Sequence, residues 1–378
     1  MQFSPRNRPG PSLPMVDLGK AVASQLIVLH HLALYWPMSD VVGVRAGDLQ
    51  EWLVDQARLA VQVFLVIGGF LAARGLLPTP DAPAGRFPAA LPGALMRRLQ
   101  RLVPPYAVAL LAAVACALFA RQLGASPGIP EAPTAGQFIA NALMLQDVLG
   151  EQALSAGFWY VAIDLQLYTM LALLCAGRAV LAGGGAWRGA ATALAVLLLT
   201  AGALLVFNRD RTLDVWALYF FGAYGLGILA QWAQATAHRV WWSALIVGLT
   251  GLALLVEWRS RLALAGTVAL VLALDLGRTW RWLCVGPLQR LLAFLSRISY
   301  TVFLLHYPVM LVVGALVYRL WPASPAMHLV GLLVAWGLAL LTGWGLERLL
   351  ASPGGPRRRS TVQEPSVWRA SISNGLSR

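Results

Sequence analysis

Charged residues are scarce in this chain, and lysine is almost absent. Of its 378 residues 12% are charged, against about 25% in a typical soluble domain. No long segment has the composition of a soluble domain. Cysteine is nearly missing as well. Cys116, Cys175 and Cys284 stand far apart in apolar surroundings. That excludes a disulfide framework and fits small hydrophobes in packed helices. No CxxC pair and no His/Cys cluster marks a metal site. No small-residue cleavage motif follows the first apolar run, which therefore reads as a retained helix rather than a removed signal peptide.

What is present is mostly hydrocarbon. Hydrophobic residues make up 58% of the chain, in recurring runs near the ~20 residues that cross a bilayer. The pattern predicts an all-α, polytopic membrane bundle of about ten transmembrane helices. They are expected near 18–37, 54–76, 102–120, 158–181, 189–207, 213–232, 241–256, 261–276, 291–318 and 327–350. Segment 136–149 reads as an interfacial or re-entrant helix. Loops rich in Pro, Gly and charge fall at 78–93, 123–134, 183–188 and 321–326. The chain thus divides into a tail (1–17), a membrane domain (18–350) and a basic tail (351–378) that carries Arg357, Arg358 and Arg359. The basic tail is expected to be disordered at the membrane surface.

The net charge of +13 is a matter of membrane orientation, not of nucleic-acid binding. With the N-terminus in the cytoplasm and the spans alternating, 21 of the 29 cations fall on the cytoplasmic side and 8 on the other. The positive-inside rule then places both termini in the cytoplasm and demands an even number of spans.

Five stretches carry groups that an apolar helix does not need. The only lysine, Lys20, stands at the mouth of the first run, and His31 follows eleven residues later. Eleven steps of about 100° return to nearly the same face, roughly 16 Å further along the helix. His30 points about 100° away. A neutral imidazole at that depth is suited to take a proton from a hydroxyl near pH 7. In MRRLQRLVPPY, Arg98 and Arg101 are three apart and share a helix face. Two readings stand: a positive-inside anchor, or a pair of guanidinium forks for phosphate oxygens. Pro104 and Pro105 are expected to set where that helix starts or bends. Gly68-Gly69 permits close helix packing or a helix break along a cavity. Asp164 lies inside a span, where an uncompensated carboxylate is costly, so it is expected to have a partner or to be neutral. Tyr168 is one turn away. In SRISYTVFLLHYP, Tyr300 and His306 interrupt an apolar helix before Pro308. His306 can also be read as an interfacial residue near the outer surface.

Together these stretches resemble the acyltransferase-3 family of integral membrane acyltransferases. The family's basic residue, ten residues and a histidine are matched by Lys20 and His31. Its Arg-x-x-Arg motif is matched by Arg98 and Arg101. Looser likenesses run over Phe64–Phe70, Trp159–Tyr168 and Ser299–Pro308, in the family's order. Gly68 stands where the family usually has serine, and Asp164 where it has glutamate. The midregion, 183–290, matches only as apolar helices. Many members carry a fused soluble esterase-like domain, so the likeness is to the stand-alone form.

The resemblance implies transfer of an acyl group to a hydroxyl of a cell-envelope glycan or lipid-linked sugar at a bacterial inner membrane. The donor is commonly acetyl-CoA. Lys20, Arg98 and Arg101 are then expected to hold the CoA phosphates. His31 acts as general base and Asp164 orients its ring. Tyr168, Tyr300 and His306 bind the acceptor. No metal and no nucleic acid is implied; membrane lipids are. Direct transfer and an acyl-histidine intermediate stay open at this stage. Two non-enzymatic readings also stand: an export permease for an anionic or acylated sugar, and an anchor for an envelope-synthesis complex.

Overall fold

The computed structural model describes residues 13–35, 37–43, 47–77, 91–124, 128–180, 187–276 and 285–351. Most of the expected tails, most of the loops 78–93 and 183–188, part of loop 123–134, Cys284 and the arginines in those segments lie outside the described residues. Among the described residues there is no strand.

Each of the ten expected spans coincides with one long helix. They are α1 (Pro14–Leu34), α4 (Val61–Leu76), α5 (Leu91–Gln122), α7 (Phe158–Val180), α8 (Trp187–Leu205), α9 (Ala217–Ala235), α10 (Arg239–Val256), α11 (Ser260–Ala273), α12 (Gly286–Leu320) and α13 (Pro325–Ala351). Three short helices fill the links: α2 (Met38–Gly43), α3 (Gly47–Asp55) and α6 (Ala135–Ala142). Among the described residues, seven helices are long and apolar enough to cross a membrane. The other three long helices differ for physical reasons. Helix α11 is short, and α1 carries Asp17, Lys20, His30 and His31. Helix α9 buries fifteen of its nineteen residues. With little lipid to face, it tolerates glycine, tyrosine and glutamine.

Helix α9 is the hub of one half of the molecule, packed against α4, α8, α10 and α11. Helix α12 is the hub of the other, packed against α1, α5 and α13. Helix α7 joins the halves by touching α4, α5 and α9. Both hubs meet a neighbour through glycine; at α12, a Cβ on Gly343 of α13 would stand 2.8 Å from Val302 N. Along α4 and α9 the contact is backbone on backbone. A Cβ at Gly69 would collide with the Tyr224 carbonyl, and one at Gly227 with the Val66 carbonyl. Small residues at such a seam are what dispersion-driven packing in lipid requires.

The ends of the bundle can be matched through side chains. Ser296 Oγ donates to Asp17 at 2.7 Å, and Arg297 pairs with Glu347 at 3.8 Å. The starts of α1 and α12 therefore lie beside the end of α13. Chain entry and exit share one end of the bundle, the arginine-rich one. This is what an even number of passes produces. At the far end Arg259 holds the Asn208 side chain and the Leu204 carbonyl, at 2.9 and 2.8 Å. That cation closes the C-terminus of α8.

Helix α5 departs from the expected span. It begins at Leu91 and runs unbroken through Pro104 and Pro105. Its first turns alternate leucine with arginine, so mean hydropathy conceals them. Near the prolines, where ladder hydrogen bonds are lost, the Tyr300 hydroxyl donates to the Leu102 carbonyl at 3.2 Å.

Gly227→Ala is expected to lower the melting temperature in detergent, by an amount equivalent to about 1–3 kcal/mol of overpacking. Gly248→Ala, where an added methyl meets open space, leaves the melting temperature unchanged.

Candidate active site

Two polar clusters lie inside this apolar frame. The first is built by α1 and α12. His31 Nδ1 and His306 Nε2 are 2.8 Å apart. Their rings stack at 4.9 Å with 14° between the planes. His306 is fully buried and His31 is 8% exposed. This overturns the interfacial reading of His306, which the parallel packing of α1 and α12 draws into the interior. His30 turns aside, and its Nδ1 lies 3.0 Å from the Leu53 carbonyl of α3. That carbonyl can only accept, so His30 donates from Nδ1. Tyr35 closes the cluster, with its ring 5.6 Å from His31.

The second cluster is built by α5 and α7. Arg98 Nη2 and Asp164 Oδ2 form an ion pair. The guanidinium also lies over the Tyr168 ring, 5.0 Å from its centroid. Tyr160, Tyr224 and Tyr300 are all within electrostatic reach of the pair. The expected contact between Asp164 and His31 is not made. The carboxylate is committed to Arg98, whose charge in an apolar bundle demands a counter-ion. The two arginines also part company. Arg98 turns inward to Asp164, while Arg101 is exposed at the arginine-rich end. There Arg101 comes within electrostatic reach of Lys20, as does Asp17.

An aromatic bridge separates the clusters. Tyr160, one turn before Asp164, meets the Phe303 ring edge-on at 5.5 Å. Phe303 in turn lies 6.0 Å from His306, and Phe64 of α4 covers both Tyr160 and Phe303, at 6.0 and 6.3 Å. From Asp164 to His31 the path is one helical turn, two ring contacts and one hydrogen bond. Tyr160, Phe303 and Phe64 sit inside the stretches that carried the family likeness, yet nothing in the sequence marked them as a bridge. Tyr224 lies in the midregion, which offered only apolar helices. Its hydroxyl is buried without a hydrogen-bond partner among the described residues, and its ring packs where a Gly68 Cβ would stand, at 3.4 Å. The same Cβ would be 3.7 Å from Asp164 Oδ1. A serine there would bring its hydroxyl toward the carboxylate.

The histidines sit at a step in the bundle. Helix α1 ends at Leu34, three residues past His31, and α7 begins at Phe158, next to Gly157, whose position is packed against Phe303. Helix α4 begins at Val61, three residues before Phe64. Helices α5 and α12 continue together until Arg319 Nη1 meets the Leu123 carbonyl at 2.6 Å. That is thirteen residues, roughly 20 Å, beyond His306. The short helices pack at this end of the bundle, α2 against α13, α3 against α1 and α6 against α5. Asn141 anchors α6: its carbonyl accepts from the Tyr106 hydroxyl at 2.7 Å and its side chain caps Leu154 N at 2.9 Å. Among the described residues no three His, Cys, Asp or Glu side chains are grouped to hold a metal ion.

Ionisable groups paired across the helices of an apolar bundle mark its interior as the candidate site. The family model described as "Acyltransferase domain" matches residues 14–343. The chain belongs to the acyltransferase-3 family and is a multi-pass membrane acyltransferase. No curated protein and no solved structure matches it.

Removing one partner of the ion pair leaves the other charge uncompensated. Asp164→Ala is expected to cost about 3 kcal/mol. This is the low end for a buried pair, because the Arg98 side chain keeps 23% exposure. Replacing both partners, Arg98→Met with Asp164→Leu, costs less than the single change. Chemical unfolding in detergent measures both.

Proposed function

We propose that the protein transfers an acyl group, acetyl in the first instance, from acyl-CoA to a hydroxyl of a cell-envelope glycan or lipid-linked sugar at a bacterial inner membrane. The observation that carries this reading is the position of His31. It lies roughly 16 Å along α1 from Lys20, toward the end where α1, α4 and α7 terminate.

Each end of the bundle then has one task. Lys20 and Arg101 stand at the arginine-rich end, taken as the cytoplasmic side, and are suited to the CoA phosphates. Arg98, held by Asp164, sets the inner limit of that positive field. Tyr168 and Tyr300 flank the pair. The thioester reaches past the aromatic bridge toward the histidines. The acceptor hydroxyl enters from the stepped side. His31 takes its proton as the oxygen attacks the thioester carbonyl carbon, and the C–S bond breaks to release CoA thiolate. Acyl transfer then needs no swing of the sugar across the bilayer.

His31→Ala is expected to reduce acyl transfer at least 100-fold while the melting temperature stays near that of the parent. The assay follows free CoA thiol released from acetyl-CoA by purified protein with an envelope glycan fraction. Lys20→Ala is expected to raise KM for acetyl-CoA with little change in kcat. Full transfer by His31→Ala sinks the assignment. Glycan passage across proteoliposomes without thiol release would make the protein a carrier instead.

A further inference from the structure

A second gathering of cations lies at the far end of the bundle. Of the eight arginines that fall on that side, Arg209, Arg211, Arg259 and Arg261 stand at two helix junctions, α8 to α9 and α10 to α11. The fold brings the two junctions together at Asn208. Arg259 Nη1 donates to its side-chain oxygen at 2.9 Å, and Arg261 Nη2 donates to its carbonyl at 2.8 Å. Arg209 follows it in the chain. Arg259 Nη2 also donates to the Leu204 carbonyl at 2.8 Å, and Arg261 Nη1 to the Tyr219 hydroxyl.

The charges here are only partly compensated. Among the described residues Arg209–Glu257, at 2.9 Å, is the one ion pair at this end. Arg259 and Arg261 have neutral oxygens as their partners. Arg259 is 8% exposed, and its Nε has no hydrogen-bond partner among the described residues. A buried guanidinium calls for a counter-charge. The carbonyl end of α8 supplies part of it for Arg259; Arg261 has no such help. Each guanidinium carries five N–H donors, and Arg209 uses only its Nε, on Glu257. Helix α11 opens beside these cations without a side-chain cap, so its N-terminal dipole adds to the same field.

The surroundings select the anion. Arg209, Asp210 and Glu257 line a cavity of about 480 Å³ together with Leu205 and Val206, so its wall joins charge to hydrocarbon. Nearby, Leu255 and Trp258 are 86% and 72% exposed. Such side chains at the end of a membrane helix face lipid, and an exposed tryptophan there marks the headgroup level. A soluble anion has no use for the apolar wall; an amphiphile with a phosphate head uses both parts. We infer that this cluster binds the phosphate head of a membrane lipid, with Arg209 and Arg261 as its ligating cations and Arg259 as the buried charge that holds Asn208 between them. Glu257 competes with the phosphate for Arg209, while Asp210 uses Oδ1 on the Thr212 amide and hydroxyl. The phosphate belongs either to a bilayer phospholipid or to the polyprenyl carrier of a lipid-linked sugar. A chain of rings links the place to the interior. Arg261 lies over the Tyr219 ring, 5.1 Å from its centroid; Tyr219 meets Phe220 at 4.9 Å, and Phe220 meets Trp159 at 5.8 Å. Trp159 directly precedes Tyr160 of the aromatic bridge.

The test titrates the full chain, in a maltoside detergent that carries no phosphate, with phosphatidylglycerol, a polyprenyl phosphate, diacylglycerol and inorganic phosphate. Native mass spectrometry reads the bound fraction. Both phosphate lipids are expected to bind saturably, and diacylglycerol and inorganic phosphate at least about tenfold more weakly. Arg209→Gln with Arg261→Gln is expected to weaken lipid binding about tenfold or more. Arg121→Gln with Arg319→Gln removes the same charge from the same end and leaves binding within about twofold. Glu257→Gln frees Arg209 and is expected to tighten binding about threefold, a gain that a misfolded variant cannot show. A polyprenyl phosphate bound about tenfold tighter than phosphatidylglycerol supports the inference with the sugar carrier as occupant; equal binding supports it with bilayer phospholipid. Diacylglycerol or inorganic phosphate bound as tightly as the phosphate lipids overturns it, as does unchanged binding in the Arg209/Arg261 variant or weaker binding in Glu257→Gln. Binding is read without turnover, so the outcome is independent of the proposed acyl transfer.

Discussion

An ionised or titratable side chain inside an apolar bundle must find a partner on another helix, and this requirement organises the protein. Arg98 and Asp164 satisfy it across α5 and α7, and His31 and His306 satisfy it across α1 and α12. Neither pairing is a strong source of net stability, since desolvation offsets much of the attraction. Each does specify register. A slide of α12 by one turn against α1 would separate the imidazoles by about 5.4 Å and leave both unsatisfied.

The pairs also divide the labour of the interior. Positive charge gathers at the end where α1 and α12 begin and α13 finishes. The imidazoles lie deeper, where three helices stop and two continue. Between them runs a set of aromatic side chains with no charge of its own. The geometry thus separates the exposed cations from the imidazole pair.

Much of the helical frame was legible because hydropathy is a strong signal, and all ten long helices were anticipated. The start of α5 was not, because Arg97, Arg98 and Arg101 break the apolar window although the backbone stays helical. The juxtaposition of Lys20 and His31 on one face followed from helical geometry alone. The partners of the buried groups did not follow, because a partner is a property of how helices meet. Asp164 was expected to have a partner or to be neutral, but the choice of Arg98 depends on the antiparallel contact of α5 with α7. Tyr224 was invisible: only the glycines around it, at 222, 225 and 227, hinted that α9 lies at the centre.

The seam between α4 and α9 has a mechanical consequence. Backbone pressed against backbone at Gly69 and Gly227 leaves these helices no side-chain cushion on which to roll. They behave as one beam. The opposite flank has a seam of the same kind, since a Cβ at Gly343 would stand 2.8 Å from Val302 N. Two such braces bound the interior, one on each hub helix, and the imidazoles sit in the frame between them.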